Sequence, residues 1–440
     1  MNTLSRITLV TLAAVSLGAC DFLDQDPQAN LSNEIIFTNR QGVEAAIAGA
    51  YDRTQDPMDD YVVFSDLAAD YADFSGSFPS WQEVDTHNLQ TTNAEARDQY
   101  TDWYQLVYQA NLIIDNVGSE PIEGLSAARA TEVVGEAYFF RAYAFHNLSK
   151  WFGPIALPLS SDIDVTETSI ARSSLPEVYT QILSDLDNAA SRVAAARPVG
   201  FVDADVVQAL RARVLLFDSQ YDAAAAAAAP LAAKYPLVTL TDLYGSLNSA
   251  ESIWELQYNN TDPNSMAFFA FVTGGRREYA PSTAAVNAYG ANDGRLAVNI
   301  KTDGPATAQQ RVIGKYFRVA NGDDHHFIFR GAEMVLIQAE AAARNGNVAE
   351  AVRLVNQIRT RAGATPIDAS TIASGGAALD LVLEERAREL AYEGHRWHDL
   401  VRTGRAVATL PSLTSENFTR WPIPQREMDA NDALEQNPGY

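Results

Sequence analysis

Apolar residues recur every three or four positions over most of the chain, the spacing with which amphipathic α-helices bury one face. A Ser-Leu-Pro-Glu run at 174–177 forms a capping box, and an aspartate at 203 is placed to cap another helix. The pattern predicts helices at Asn39–Arg53, Glu95–Val117, Ser126–Lys150, Glu333–Arg344, Val348–Arg361 and Asp380–Leu400, and further helices that start near Ser174, Asp203 and Asp222. We therefore predict a mainly α fold.

Two segments, at roughly 205–235 and 333–362, each predict a pair of helices joined by a short turn. Small residues stand where the paired helices would touch. Units of about 34 residues built in this way are typical of tetratricopeptide-like repeats. The two units are not adjacent in the sequence, so we expect helix pairs interrupted by insertions rather than a regular solenoid.

Two other stretches, near 67–93 and 237–329, lack the helical period and are rich in Gly, Pro, Asn and aromatic residues. We predict irregular, loop-rich insertions there, with a few short strands. The run Ile253–Tyr258 alternates apolar and polar residues, which is typical of a half-buried strand. Loops of this length in a packed protein are commonly functional.

The first 19 residues have the pattern of a bacterial lipoprotein signal peptide. Arg6 precedes an apolar run from Ile7 to Leu17, and Leu-Gly-Ala-Cys at 17–20 matches a lipobox. The apolar run is too short to span a bilayer as a helix. We predict cleavage before Cys20, lipidation of Cys20 as a membrane anchor, and a lipidated N-terminus and tether over residues 20–40.

Composition excludes several classes of function. Cys20 is the only cysteine, so a disulfide framework, a thiol nucleophile and a thiolate metal site are all excluded from the mature domain. The formal net charge of −24 argues against nucleic acid as a partner and favours a neutral ligand.

Two groups of residues could suggest a catalytic or metal site. Glu393, His395 and His398 lie close together, but their spacing is not His-Glu-x-x-His, and we expect an ion-pair network here with Trp397 packed inward. The adjacent His325 and His326 are expected in a solvated loop. The acidic residues show no EF-hand spacing, so no cofactor is predicted, although a structural Ca²⁺ stays possible.

Four sequence blocks, in order behind the lipobox, resemble the SusD/RagB family of nutrient-uptake lipoproteins across essentially the whole mature chain. The blocks are 20–27, 136–155 (including Trp151-Phe152-Gly153-Pro154), 385–402 and the pair 421–425 and 436–440. The resemblance implies one SusD-like domain over 41–440, a scaffold of tetratricopeptide-like helix pairs, and no enzyme activity. It also implies an outer-membrane, surface-exposed protein that binds oligosaccharides and delivers them to a SusC-like TonB-dependent receptor.

Sugars stack on aromatic rings and hydrogen-bond to flanking polar groups, and both irregular stretches offer this mixture. Trp81 is the first candidate for a ring that stacks on a sugar, because Gly, Ser and Pro around it argue against a buried helix. Phe268 and Phe269 lie in the second stretch. The predicted glycan-binding residues are Tyr71, Phe74, Phe78, Trp81, Asn88, Tyr258, Asn259, Asn260, Arg276 and Tyr279. The alternative for each aromatic residue is packing in the core of the insertions.

Three other functions stay open on the sequence alone. A RagB-like protein would capture peptides instead of glycans. A lipid-anchored glycoside hydrolase would use two carboxylates, but nothing singles out two of the 56 acidic residues. A structural adaptor would organise an envelope complex without binding a small ligand.

Overall fold

The computed structural model describes residues 36–163 and 169–440, so Cys20 and the signal peptide lie outside the described residues. The N-terminal half is helical, and both predicted caps are present. The Ser174–Glu177 capping box is formed, and the Asp203 side chain accepts hydrogen bonds from the Asp205 and Val206 N–H groups. The helices are α1 (Arg40–Gln55), α2 (Met58–Leu67), α3 (Pro79–Asp85), α4 (Ala94–Asn116), α5 (Ala127–Phe152), α6 (Leu175–Ala190), α7 (Ala204–Phe217) and α8 (Tyr221–Lys234).

The long insertion contains short elements connected by loops. Its helices are α9 (Leu240–Gly245), α10 (Met266–Ala270), α11 (Thr283–Asn287) and α12 (Arg295–Asn299). The strands of the chain are β1 (Ala72–Phe74), β2 (Ile155–Ala156), β3 (Arg172–Ser173), β4 (Ser252–Leu256), β5 (Tyr279–Pro281), β6 (Ile300–Asp303), β7 (Gln310–Ile313) and β8 (His326–Arg330). They form antiparallel pairs, β1 with β5, β2 with β3, β4 with β8 and β6 with β7.

The C-terminal third returns to the helical scaffold. Its helices are α13 (Gly331–Arg344), α14 (Val348–Arg361), α15 (Gly375–Glu389), α16 (Arg396–Arg402), α17 (Ala406–Thr409) and α18 (Gln425–Ala430), with 3₁₀ turns at Ala369–Thr371 and Glu416–Thr419. Within the described ranges, no helix is both long enough and apolar enough to cross a membrane.

The two predicted repeat units pack directly on each other. Helices α7 and α8 pack as one pair and α13 and α14 pack as the next, with α8 against α13. A β-carbon added to Gly331 would lie 2.0 Å from the Tyr235 carbonyl oxygen, so the chain returns to the scaffold beside the point where it left. The mainly α architecture with an interrupted run of helix pairs is therefore confirmed.

The predicted continuous helix at 380–400 is wrong, because the chain breaks between α15 and α16. Tyr392 and Gly394 both adopt positive φ, at 61° and 78°. A β-carbon at Gly394 would lie 2.5 Å from the Tyr61 ring, so the turn needs glycine for space as well as for conformation. The break directs the Glu393 carboxylate to Arg330, 2.8 Å away.

Two further expectations are corrected at the sheet of β4 and β8. All five residues of β4 are buried, so the strand is not half-exposed. His325 and His326 are also buried rather than solvated. The His325 Nδ1 lies 2.9 Å from a Glu255 oxygen, and the His326 Nε2 lies 3.1 Å from an Asp59 oxygen. The alternation of apolar and polar residues therefore predicts the strand correctly. Its polar residues, however, are buried and have buried partners.

The predicted structural role of the 385–402 block is confirmed. Arg330, which is 1% exposed, pairs with three carboxylates, those of Glu251, Glu389 and Glu393. Glu389 also binds Arg361 and Arg295, and Trp397 is fully buried. Although burial opposes its charged form, the surrounding arginines keep the pKa of Glu389 well below its usual range. The block thus ties the insertion to the helices through buried ion pairs.

Candidate functional site

The two aromatic-rich stretches come together in space through one short strand pair. In the β1–β5 ladder, Phe74 lies opposite Tyr279 and Asp73 lies opposite Ala280. The Ser75 N–H extends the pairing by donating to the Glu278 carbonyl oxygen at 2.9 Å. Residues about 200 positions apart thus share one surface.

Trp81 lies at the centre of a buried aromatic cluster. The segment around it forms α3, with Pro79 in its first turn, so the expectation of irregular structure is wrong here. The Trp81 ring lies 5.1 Å from the Phe269 centroid and 6.3 Å from the Tyr279 centroid. Because Trp81 is only 3% exposed, its direct contact with a ligand stays a prediction that requires the cluster to open.

The outer side of this cluster is open to solvent. We call the aromatic surface the group of Ser77, Phe78, Phe268, Phe269 and Arg276. Phe268 is 40% exposed, and Phe78 and Phe269 are partly buried against the core. The Arg276 guanidinium lies 4.5 Å from the Phe78 ring centroid, a cation–π arrangement. The aromatic surface therefore combines one exposed ring, Phe268, and two partly buried rings with hydrogen-bond donors.

A buried carboxylate fixes this arrangement and balances its charge. Glu278 is 2% exposed, accepts a hydrogen bond from the Ser77 N–H at 2.7 Å and forms an ion pair with Arg276, whose Nε lies 2.8 Å from a Glu278 oxygen. A β-carbon on Gly76 would lie 1.7 Å from the Glu278 carboxylate, so the close approach of the two loops needs glycine at that position. Arg276 thus offers its remaining N–H donors as part of an ion pair that has no net charge.

The other predicted residues lie elsewhere. Tyr71 is buried against Tyr392, with ring centroids 6.4 Å apart, and Tyr258 is buried against His326. Asn259 and Asn260 are exposed in a turn next to Gln257, whose amide donates to the Val199 carbonyl oxygen, so this turn faces the α6–α7 connection. Asn88 is exposed in the turn that follows α3.

The sequence interpretation did not include Glu278 in the site. Glu278 follows two arginines, Arg276 and Arg277, and directly precedes strand β5. This position could have indicated an ion pair, because an acidic residue next to arginines commonly pairs with them. Ser77 was not predicted to bind a ligand either. No group of three or more His, Cys, Asp or Glu within the described ranges could hold a metal ion.

Comparison with known proteins defines the class. The family model described as "Starch-binding associating with outer membrane" matches residues 21–199, and the model described as "SusD family" matches residues 315–414. The chain is 26% identical to the SusD-like protein P38 of Formosa agariphila over the full length of both. It is 31% identical to the starch-binding protein SusD of Bacteroides thetaiotaomicron over 124 residues, which are 26% of this chain and 21% of that protein.

Solved structures agree in fold. A laminarin-binding SusD-like protein matches with a TM-score of 0.80 at 21% identity, covering 92% of this chain and all of that one. A surface glycan-binding protein A from Bacteroides fluxus matches with a TM-score of 0.77 at 21% identity, with the same coverage. The protein thus has the mostly helical SusD fold.

The chain belongs to the SusD-like family. Proteins of this family are carbohydrate-binding proteins rather than enzymes, and they are associated with the outer membrane.

Proposed function

We propose that this protein captures neutral oligosaccharides at the aromatic surface without cleaving them. The observation that carries the proposal is the convergence of the two loop stretches into one solvent-facing group of rings and donors. The names of the starch-binding and laminarin-binding relatives support a glycan ligand.

The chemistry of the surface suits a neutral sugar. The C–H faces of a pyranose ring stack on exposed aromatic rings such as Phe268, and sugar hydroxyls accept hydrogen bonds from a guanidinium. Because Glu278 neutralises Arg276 at a distance of 2.8 Å, the donors attract hydroxyl oxygens without selecting for an anion. Among the predicted residues, Phe78 and Arg276 are the direct contacts in this proposal. Trp81, Phe74 and Tyr279 form the supporting layer behind them.

The same carboxylate supports a non-catalytic role. A general acid or base needs a proton it can exchange with the substrate. Glu278 is buried and engaged by Arg276 and the Ser77 N–H, so it is not free for that task.

We further propose that the protein is anchored by lipid at Cys20 on the cell surface and passes its ligand to a SusC-like TonB-dependent receptor. The lipobox at 17–20 supports the anchor, and the family description supports the outer membrane. Co-purification of a large TonB-dependent receptor with the tagged chain from its native host tests the partnership.

Binding is tested on the full chain in detergent by isothermal titration with maltoheptaose, laminarihexaose and xylohexaose. We expect Phe268→Ala to weaken binding of the preferred sugar about tenfold, because loss of one stacking ring costs about 1–1.5 kcal/mol. Tyr108→Ala is the matched control, since Tyr108 is an exposed ring (47%) on α4. Its affinity should stay within about twofold of wild type.

Other outcomes would replace the proposal. Release of reducing sugar from any of the oligosaccharides would indicate a hydrolase. Binding of a tryptic peptide mixture with no sugar bound would favour the RagB-like alternative. Equal losses in Phe268→Ala and Tyr108→Ala would place the binding site elsewhere on the molecule.

A further inference from the structure

A cavity lies at the other end of α3 from the aromatic surface. It has a volume of about 610 Å³. One wall is the turn Thr86–Thr91, and the other is formed by Ser412, Thr414, Phe418 and Tyr440 from the C-terminal part of the chain. We call it the polar pocket. Its size is within the usual range of small-molecule sites, roughly 300–1,000 Å³.

Every side chain that lines the described walls of the polar pocket is uncharged at neutral pH. His87 is the one titratable imidazole among them. Its Nε2 lies 2.9 Å from the Ala68 carbonyl oxygen, which can only accept, so this nitrogen carries the proton. The Nδ1 then accepts from the Ser412 hydroxyl at 2.8 Å, and burial lowers the pKa of His87. The imidazole is therefore neutral and oriented from both sides.

The pocket keeps unused hydrogen-bonding capacity. Within the described part of the chain, the Asn88 amide nitrogen donates to no other group, and the Thr414 hydroxyl has no partner. Both side chains are exposed to the cavity. The Ser412 oxygen still has lone pairs after donating to His87. A ligand here would meet uncharged side-chain donors and acceptors.

An aromatic pair supplies the apolar part of the pocket. Phe418 and Tyr440 meet edge to face, with centroids 5.6 Å apart, and both rings are partly buried. Free amides, hydroxyls and two rings are the groups that recognise a neutral, polyhydroxylated ligand.

We propose that the polar pocket is a second carbohydrate site that takes a short neutral saccharide. The inference rests on the proposed glycan-binding function and adds a site to it. The Asn88 amide and the Thr414 hydroxyl bind sugar hydroxyls, and the Phe418–Tyr440 pair packs against the sugar ring. Asn88 then contributes to binding in this pocket instead of at the aromatic surface.

Photoaffinity labelling locates the site. The full chain is labelled with diazirine-bearing maltotriose and laminaritriose, in the wild type and in Phe268→Ala. We expect labelled peptides from 86–91 and 412–418 in both proteins. Asn88→Ala and Thr414→Arg should reduce that labelling at least tenfold while leaving labels near Phe268 unchanged. Asn88 is exposed, so its variant stays informative if Thr414→Arg does not fold.

Three results would overturn the inference in distinguishable ways. Labels confined to 77–78 and 268–276 would leave the proposed function intact and remove the second site. Labelling of the pocket that persists in Asn88→Ala and in Thr414→Arg would show non-specific reaction with the cavity. An absence of labelling anywhere, with no sugar binding by titration, would remove both proposals together.

Discussion

Glu340 shows how single charged residues hold the scaffold together. It is fully buried on α13 and receives a two-pronged ion pair from Arg402, with oxygen–nitrogen distances of 2.7 and 2.6 Å. Burial alone would raise the pKa of Glu340. The charges of Arg402 and nearby arginines outweigh burial and lower the pKa from 4.5 to about 2. One carboxylate therefore joins α13 to α16.

We predict that Glu340→Gln lowers the free energy of unfolding by about 3 kcal/mol at pH 7, because lowering the pKa of Glu340 from 4.5 to about 2 corresponds to that amount. Because the folded pKa is the lower one, this stabilisation is present above pH 4.5 and is lost as the pH falls toward 2. The difference between wild type and variant, measured by urea unfolding at several pH values, should vanish in that window.

Glu350→Gln is the matched control for this prediction. Glu350 makes an exposed pair with Arg353 on α14, with side chains 38% and 56% exposed. Exposed pairs contribute about 0–1 kcal/mol. If Glu350→Gln lowered the free energy of unfolding as much as Glu340→Gln, burial of the ion pair would not explain the stabilisation.

Among the elements, the break between α15 and α16 concentrates strain and close packing in one turn. We predict that Gly394→Ala destabilises the protein by about 2–4 kcal/mol, because it adds a clash with Tyr61 to the cost of positive φ. Gly404→Ala measures the cost of positive φ alone, because Gly404 has a φ of 66° and open space around it. Chemical unfolding of both variants checks the difference, and equal losses would contradict the packing explanation.

The same turn shows which secondary-structure elements can be predicted from the sequence and which cannot. Local signals located most of the long helices to within a few residues, because periodicity and caps such as Ser174 and Asp203 act within one helical turn. The break at Tyr392 and Gly394 was not predicted, because the Tyr61 side chain that packs against it and donates to the Gly394 carbonyl oxygen lies more than 300 residues away in the sequence. The burial of β4 was missed for the same reason, since a distant partner such as His325 makes its Glu255 tolerable in the core.

The candidate site was predictable only in part. The two aromatic stretches were identified from composition, and the β1–β5 pair does join them. Which ring faces solvent depends on tertiary packing, so Trp81 and Phe268 could not be ranked from sequence. The polar pocket was not identified at all, because its walls come from the turn after α3 and from the C-terminal segment.

At the scale of the whole molecule, the net charge of −24 bears on the nature of the ligand. Neutral sugars have no long-range interaction with that charge. We predict that the affinity for the preferred oligosaccharide changes by less than about twofold between 50 and 500 mM NaCl, measured by titration calorimetry. A tenfold loss at high salt would instead indicate an anionic polymer bound through the arginines near the aromatic surface.

The chain leaves the helical scaffold at Tyr235 and re-enters it at Gly331, and these two points touch. An insertion with adjoining ends can lengthen, shorten or change its sequence without moving the helices on either side. The constraint is that the residues that join the insertion to the buried ion pairs, such as Glu251, Arg295 and Arg330, are retained. The ligand-facing loops can therefore evolve independently of the helical scaffold, and new sugar specificities can arise while the scaffold stays unchanged.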